Sequence, residues 1–233
     1  MKLFLVAVLV ALSVENIFCS HLQGQTKLWK KLFDHYNKEL EPEDAGLKFG
    51  LAFVRAHYEK QSHEVHVHVW ERYSWTDKRL SWEPSEFDGV TSLRVSHDHL
   101  WLPDFQLYHG FEERVETKAL LTHEGHLVYV PAVLYKTHCE KGANHSLHCH
   151  FKVGSWGVDA VTLPLAKWDT GATLDYYQTK TSPLEAHLGE VELVTKSYSA
   201  FQNLPYSALE VSVDFHHKDS HDDDHHDNDH HDH

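Results

Sequence analysis

Two cysteines and several histidines in one short segment could either form a disulfide or bind zinc. Cys139 and Cys149 enclose the sequence EKGANHSLH. Thiolates and imidazoles are the ligands that structural zinc sites use most. A disulfide needs only the two cysteines and an oxidising compartment. The choice therefore depends on where the chain is located. The histidines in or beside the segment are His138, His145, His148 and His150.

The first 20 residues have the layout of a secretory signal peptide. Lys2 precedes an apolar run from Leu3 to Leu12, which is too short to span a bilayer. A buried strand or a membrane anchor is the alternative interpretation. We expect residues 1–20 to be removed and the protein to be secreted, soluble and extracellular, because no later apolar run predicts a membrane span. Secretion favours a disulfide over zinc at Cys139 and Cys149. A disulfide that closes a loop of this length would stabilise the folded state by roughly 3 kcal/mol.

The chain ends in a segment made almost entirely of aspartate and histidine. Residues 216–233 carry much of the net charge of −14, and this composition predicts a disordered tail. The acidic charge argues against nucleic-acid binding. The tail is either a solubilising segment or a loose ligand for a divalent metal, and we expect no other cofactor. The tail's candidate metal ligands are His225, His226, His230 and His231.

Helical spacing near the N-terminus gives way to strand-like alternation. Apolar residues recur every three or four positions over residues 25–40, which predicts an amphipathic helix. Four later segments predict strands: 65–69, Leu127–Tyr135, His150–Trp156 and Leu209–Phe215. Glycines and prolines separate these segments. The pattern predicts an all-β domain over residues 21–215, an antiparallel, immunoglobulin-like β-sandwich with an N-terminal α-helix.

Trp70 is a large aromatic residue on the polar side of a predicted strand. Alternation along the strand places it opposite the valines that would face the core. It belongs either to an interface or ligand wall, or to a second face that is also covered. The residues predicted to share its outward face are Glu64, His66 and His68.

Several motifs in the right order resemble the extracellular ligand-binding domain of the Cys-loop receptors, the family of the nicotinic acetylcholine receptor. The Trp-x-Pro-Asp motif is present as Trp101, Pro103 and Asp104. The segments GHLVYVPAVLYKTHC and FKVGSW flank the cysteine loop as in that family. No membrane domain follows, so the resemblance is to the acetylcholine-binding proteins, the soluble members of the family. It implies a secreted homopentamer with ligand sites between subunits, and it implies that the two cysteines form the family's disulfide.

The resemblance also implies an aromatic box for a small cationic or aromatic ligand. The negative faces of aromatic rings attract an ammonium ion, and each desolvated ring contributes on the order of 1–2 kcal/mol. The principal face would contain Tyr108, Trp156, Tyr198 and Tyr206. The neighbouring subunit would contribute Trp70, Val128 and Val130, with Leu120 nearby.

The loop between the two capping tyrosines departs from the acetylcholine-binding pattern. Ala200 and Phe201 stand where those proteins carry two adjacent cysteines, so no vicinal disulfide forms there. Nicotinic ligands are therefore not implied, while other amines remain open. Phe201 would either fill the tip of the loop or stack on a ligand. Asn144 begins an Asn-His-Ser sequon, which predicts glycosylation.

Three functional classes compete for this chain, and none of them is enzymatic. The sequence has neither a Gly-x-Ser-x-Gly motif nor a His-Glu-x-x-His motif, so it does not predict a hydrolase. The leading prediction is a secreted pentamer that binds a small amine. The alternatives are a metal-binding protein, driven by the His/Asp tail, and an oligomer whose pocket has lost its ligand.

Overall fold

The computed structural model describes residues 22–142, 146–201 and 203–218, without the side chain of Phe201. Several sequence-based predictions lie outside the described residues, so they stay predictions. These are the signal peptide at 1–20, the sequon at Asn144, the side chain of Phe201, and the tail ligands His225, His226, His230 and His231.

The N-terminal helix spans residues 22–33 and packs its apolar side on the sandwich. Leu28 and Leu32 are buried, as helical spacing requires. The prediction that the helix continues to residue 40 is wrong. Its last turn ends where Asp34 N donates to a carbonyl oxygen one turn earlier. Beyond this point Asn37 Oδ1 accepts a hydrogen bond of 3.0 Å from the Glu39 backbone amide, and such local bonds compete with helix formation.

Two sheets pack face to face and enclose the core. The first sheet has the order β11-β1-β2-β7-β6-β3, with β8 paired to β2 and β5 paired to β8. The second has the order β12-β13-β10-β4, with β9 paired to β10. This arrangement confirms the predicted all-β sandwich. The strands β1 to β13 of the described residues are, in chain order, Leu47–Glu59, Glu64–Thr76, Ser92–Ser96, Phe105–Leu107, Phe111–Val115, Lys118–Thr122, His126–Tyr129, Ala132–Thr137, Glu140–Lys141, Leu147–Ser155, Leu165–Thr173, Leu184–Ser197 and Pro205–His217.

The strands differ from the sequence-based prediction in three places. β1 and β11 are parallel, with Leu47 opposite Leu165, whereas the other pairs in the described residues are antiparallel. The predicted strand Leu127–Tyr135 is two strands, β7 and β8. Pro131 separates them because it has no amide hydrogen for the ladder. Its carbonyl oxygen instead accepts from Glu71 N, 3.2 Å away. β13 continues to His217, two residues past the predicted end of the domain.

The alternation in β2 separates core residues from outward residues as predicted. Val65, Val67 and Val69 are 0–1% exposed. Trp70, the next residue, is 36% exposed on the outer face of the first sheet. Trp70 is therefore not a core residue of this chain, and the interpretation that a second covered face buries it fails within the described residues.

The cysteine segment forms a disulfide. Cys139 and Cys149 are bonded, with their Cα atoms 4.6 Å apart. The bond joins the start of β9 to β10, and Cys149 is buried in the core. The zinc interpretation of this segment is therefore excluded for the two cysteines, since thiols in a disulfide are not thiolate ligands.

Candidate ligand-binding site

Four of the predicted aromatic residues line one cleft at an end of the second sheet. Tyr108 follows β4, Trp156 follows β10, Tyr198 follows β12, and Tyr206 lies near the start of β13. These four strands are neighbours in the sheet, so their ends bring distant parts of the chain together. The cleft has a volume of about 260 Å³, and none of the five described residues that line it is acidic.

The rings in the cleft are arranged in two pairs. The centroids of Tyr108 and Trp156 lie 5.7 Å apart with an interplanar angle of 87°. Those of Tyr198 and Tyr206 lie 6.1 Å apart at 64°. Edge-to-face pairs of this kind are favoured by the ring quadrupoles and hold each ring in a defined orientation. Trp156 is nevertheless 60% exposed, so much of its surface is open to a ligand or a partner.

Asp104 holds the turn that presents Trp156. Its Oδ1 accepts a hydrogen bond of 2.6 Å from Ser155 Oγ, and its Oδ2 accepts one of 2.5 Å from Gly157 N. The backbone amide of Trp156 also donates to the Asp104 carbonyl oxygen, at 3.3 Å. Asp104, from the Trp-x-Pro-Asp motif, thus binds both neighbours of Trp156 and fixes where the indole points.

Gly154 allows the strands beneath the cleft to approach closely. It lies in β10 opposite Ala208 in β13. A Cβ atom at Gly154 would lie 2.5 Å from the carbonyl oxygen of Ser207, which is too close for any side chain. The glycine of the Gly-Ser-Trp motif therefore brings Trp156 near Tyr206 without a clash.

Tyr108 is anchored through its hydroxyl and stays protonated. Its OH donates a hydrogen bond of 2.9 Å to the Ser155 carbonyl oxygen. Burial raises the pKa of Tyr108 to about 12, and the nearby Tyr198, Asp104 and Tyr206 add to the increase. At neutral pH the cleft therefore presents a neutral phenol and not a phenolate.

Two lysines already contact rings of the cleft. Lys152 Nζ lies 5.5 Å from the centroid of Tyr108, and Lys196 Nζ lies 5.5 Å from that of Tyr198. Lys152 is also paired with Glu210 at 2.7 Å, which neutralises much of its charge. These contacts show that the tyrosine rings are accessible to ammonium groups in the geometry of a cation–π interaction.

His109 is a lining residue that the sequence analysis missed. It follows Tyr108 and is exposed in the cleft. Its backbone carbonyl oxygen accepts a hydrogen bond of 3.0 Å from Thr137 Oγ1, which ties this loop to β8. A histidine next to a motif tyrosine forms no recognisable pattern. The only signal in the sequence for His109 is its position in a loop between two strands.

The ligand residues that were predicted for the neighbouring subunit lie on the other sheet. Trp70 lines a separate groove of about 420 Å³ on the outer face of the first sheet. Its ring packs against Tyr176, with centroids 5.1 Å apart. Val128 is half-buried in β7, opposite Ser74 of β2 and beside Leu120 of β6. Val130, also half-buried, follows β7. Within one chain, then, the predicted site is divided between two faces.

A buried ionic network links the strand of Trp70 to the loop of Tyr108. Glu71, fully buried in β2, accepts from Arg114 Nη1 at 2.6 Å and from Tyr73 OH at 2.6 Å, and Tyr135 OH also bonds to it. Burial raises the pKa of Glu71, and the Arg114 guanidinium opposes this rise. Arg114 also forms an ion pair with Glu112, 3.1 Å away. Glu112 in turn accepts a hydrogen bond from the backbone amide of Leu107, the residue before Tyr108.

Two other kinds of functional feature are absent from the described residues. No group of three or more His, Cys, Asp or Glu side chains is arranged to hold a metal ion as it stands. No helix of the described part is long and apolar enough to cross a membrane.

Comparisons with known proteins agree with this geometry. Residues 25–218 match the neurotransmitter-gated ion-channel ligand binding domain family. The neuronal acetylcholine receptor subunit alpha-6 of Mus musculus is 31% identical over 158 residues, which are 61% of this chain and 32% of that protein. Subunit alpha-2 of Rattus norvegicus is 30% identical over 175 residues, 69% of this chain and 34% of that protein. The match thus spans about a third of the length of each of these relatives.

The family match covers most of the chain and includes every strand of both sheets. Within that region, the disulfide joins the two cysteines that the resemblance implied. The chain therefore belongs to the neurotransmitter-gated ion-channel ligand-binding domain family, the extracellular ligand-binding domains of the Cys-loop receptors.

Proposed function

We propose that this chain is a secreted, homopentameric binding protein that captures a small cationic amine in the aromatic cleft and catalyses no reaction. The observation that carries the proposal is the convergence of Tyr108, Trp156, Tyr198 and Tyr206 on one cleft without a lining carboxylate. A cleft of this kind stabilises an ammonium group through ring faces and not through an ion pair.

The ligand's cationic head would lie against Trp156. Indole provides the strongest ring face for a cation, and this one is oriented by Asp104 yet largely exposed. Tyr198 and Tyr206, which flank the loop opposite, would close over the bound amine. The lysine contacts on Tyr108 and Tyr198 support this chemistry, because they already place ammonium groups near rings of the same cleft.

The second wall of the site would come from a neighbouring subunit. Trp156 and Trp70 are exposed on different sheets of one chain, and exposed aromatic residues of this size are typical of interaction surfaces. In a closed ring each chain offers the same two faces, so the Trp70 face of one subunit covers the Trp156 face of the next. Val128 and Val130 would form the apolar part of that wall.

The capping loop argues for an amine other than a nicotinic ligand. Ala200 is exposed beside the cleft where a cysteine pair would otherwise stiffen the loop. His109 adds a polar, aromatic group to the lining. The proposed ligand is therefore an amine that carries an aromatic ring, which would stack in the cleft while its ammonium group meets Trp156.

The test is calorimetric titration of the full chain with a panel of aromatic amines, each paired with a neutral isostere. We expect at least one amine to bind with one site per chain. Its neutral isostere should bind about tenfold or more weakly, because it loses the cation–π term. Equal affinity for amine and isostere, or no binding across the panel, would overturn the proposal.

A further inference from the structure

We propose a divalent transition-metal site on the outer face of the second sheet, formed by His148, Asp214 and His187. These residues come from three adjacent strands, β10, β13 and β12, at the end of the sheet where β13 finishes. The site involves none of the residues that line the aromatic cleft, and it does not depend on the proposed amine binding.

The strand register places the three side chains in one row. Asp214 is directly opposite His148 on one side and His187 on the other. Strands in a sheet lie about 5 Å apart, so the two histidines flank the carboxylate at one strand spacing each. Residues opposite one another point to the same side, and all three side chains face solvent. Glu140 of β9 extends the row beyond His148.

Contacts already exist between the residues of the row and its neighbours. His148 Nδ1 contacts Asp214 Oδ1. On the other side, the ring of His187 packs against His216 with centroids 5.3 Å apart at 75°. The side chains of His148 and Asp214 are 58% and 39% exposed, so an ion can reach them directly from solvent.

The local charge favours a cation. The row alternates histidine with carboxylate, and the next pair toward the end of the sheet is His216 opposite Glu185. Lys152, two rows away, is paired with Glu210 at 2.7 Å, which offsets much of its charge. An ion bound above Asp214 would therefore gain from the carboxylates of the row.

The site is not preformed, because no three such side chains of the described residues converge on a point. The ring of His187 has to rotate from His216 toward Asp214. The direct contact of His148 Nδ1 with Asp214 Oδ1 also has to open, so that both atoms can bind the ion. An exposed imidazole makes such a rotation readily, since its rotamers exchange on the picosecond-to-nanosecond scale.

The donor set selects the class of metal. Two imidazoles and one carboxylate suit zinc or copper, with water completing the coordination, whereas calcium and magnesium prefer oxygen ligands alone. Because imidazole binds a metal only when neutral, the affinity should fall at acidic pH.

The experiment must separate this row from the His/Asp tail, which can bind metal on its own. A full-length background variant therefore carries alanine at the six histidines of residues 219–233: His221, His225, His226, His230, His231 and His233. Zn²⁺ is titrated into this variant by calorimetry near neutral pH. We expect one Zn²⁺ per chain to remain bound.

Three further substitutions in that background decide the assignment. Asp214→Asn, which keeps the shape of the side chain, and His187→Ala should each weaken Zn²⁺ binding about tenfold or more. His35→Ala, an exposed position just after the N-terminal helix and distant in sequence from the three proposed ligands, should leave Zn²⁺ binding unchanged. Circular dichroism checks that every variant is folded. Absence of a bound Zn²⁺ in the background variant, or full retention of binding by Asp214→Asn, would overturn the proposal.

Discussion

Tyr108 and Trp156 meet edge to face, with ring centroids 5.7 Å apart, although they follow different strands of the second sheet. The Tyr108 hydroxyl secures the pair by donating to the carbonyl oxygen of Ser155, the residue before Trp156. The ring that would receive a cation is therefore oriented before any ligand arrives. Such preorganisation reduces the entropy lost on binding.

Replacing Trp156 by alanine should weaken binding of a cationic amine by about tenfold or more, because one desolvated ring face contributes about 1–2 kcal/mol. The fold should persist, since the indole is largely exposed. Trp156→Phe, which keeps a ring face, should retain more affinity than Trp156→Ala. Calorimetry measures the binding. Equal affinity of Trp156→Ala and the parent protein would place the amine elsewhere.

Replacing Trp70 by alanine should also weaken amine binding about tenfold, although Trp70 lies outside the cleft of its own chain. The reason is that it would complete the cleft of the next subunit. Light scattering has to accompany the titration. Loss of assembly together with binding would make Trp70 an interface anchor and not a ligand wall. Leu40→Ala, another exposed apolar position, is the control that should change neither.

Tyr108 should give the folded protein a measurable response to alkaline pH. The unfolded chain loses the phenolic proton near pH 10, whereas the folded chain keeps it to about 12. This contribution to stability is fully present below about pH 10 and is lost as the pH rises toward 12. The free energy of unfolding in urea should thus fall less steeply over that range in Tyr108→Phe than in the parent. Equal slopes would contradict the assignment.

Glu71→Gln should lower the free energy of unfolding by up to about 3–5 kcal/mol, because it removes the fully buried one of the two carboxylates paired with Arg114 and leaves only Glu112. Glu113→Gln is the matched control. Glu113 pairs with Lys136 but is 56% exposed, so its loss should cost less than about 1 kcal/mol. Urea denaturation measures both. A similar, small effect of the two substitutions would show that the buried network does not stabilise the fold.

Features that depend on the local periodicity of apolar residues or on a sequence motif could be predicted from the sequence. Alternation placed Val65, Val67 and Val69 inward and Trp70 outward, and the structure confirms both faces. The same alternation puts Glu71 on the inward side, so a buried carboxylate in need of a cation was open to prediction. Its partner, Arg114, lies two strands away in the sheet, and no local pattern identifies it.

Other features depend on long-range pairing or on single side chains. The parallel pairing of β1 with β11 joins strands that are far apart in the sequence, and the composition of neither strand predicts it. The helix ends at residue 33, and the local hydrogen bond of the Asn37 side chain beyond it is a feature that helical periodicity does not reveal. Motif matching identified the four aromatic residues of the cleft but missed His109, because a single histidine in a loop belongs to no motif and to no periodic pattern.

The native mass of the full chain, measured by light scattering with a chelator present, shows whether the ligand site can be shared between subunits. We expect a pentamer of the 27.0 kDa chain, less any removed leader. In that ring, each Trp156 cleft would meet the Trp70 face of a neighbour. A monomer in solution would leave the two faces apart and would contradict a binding site shared between subunits.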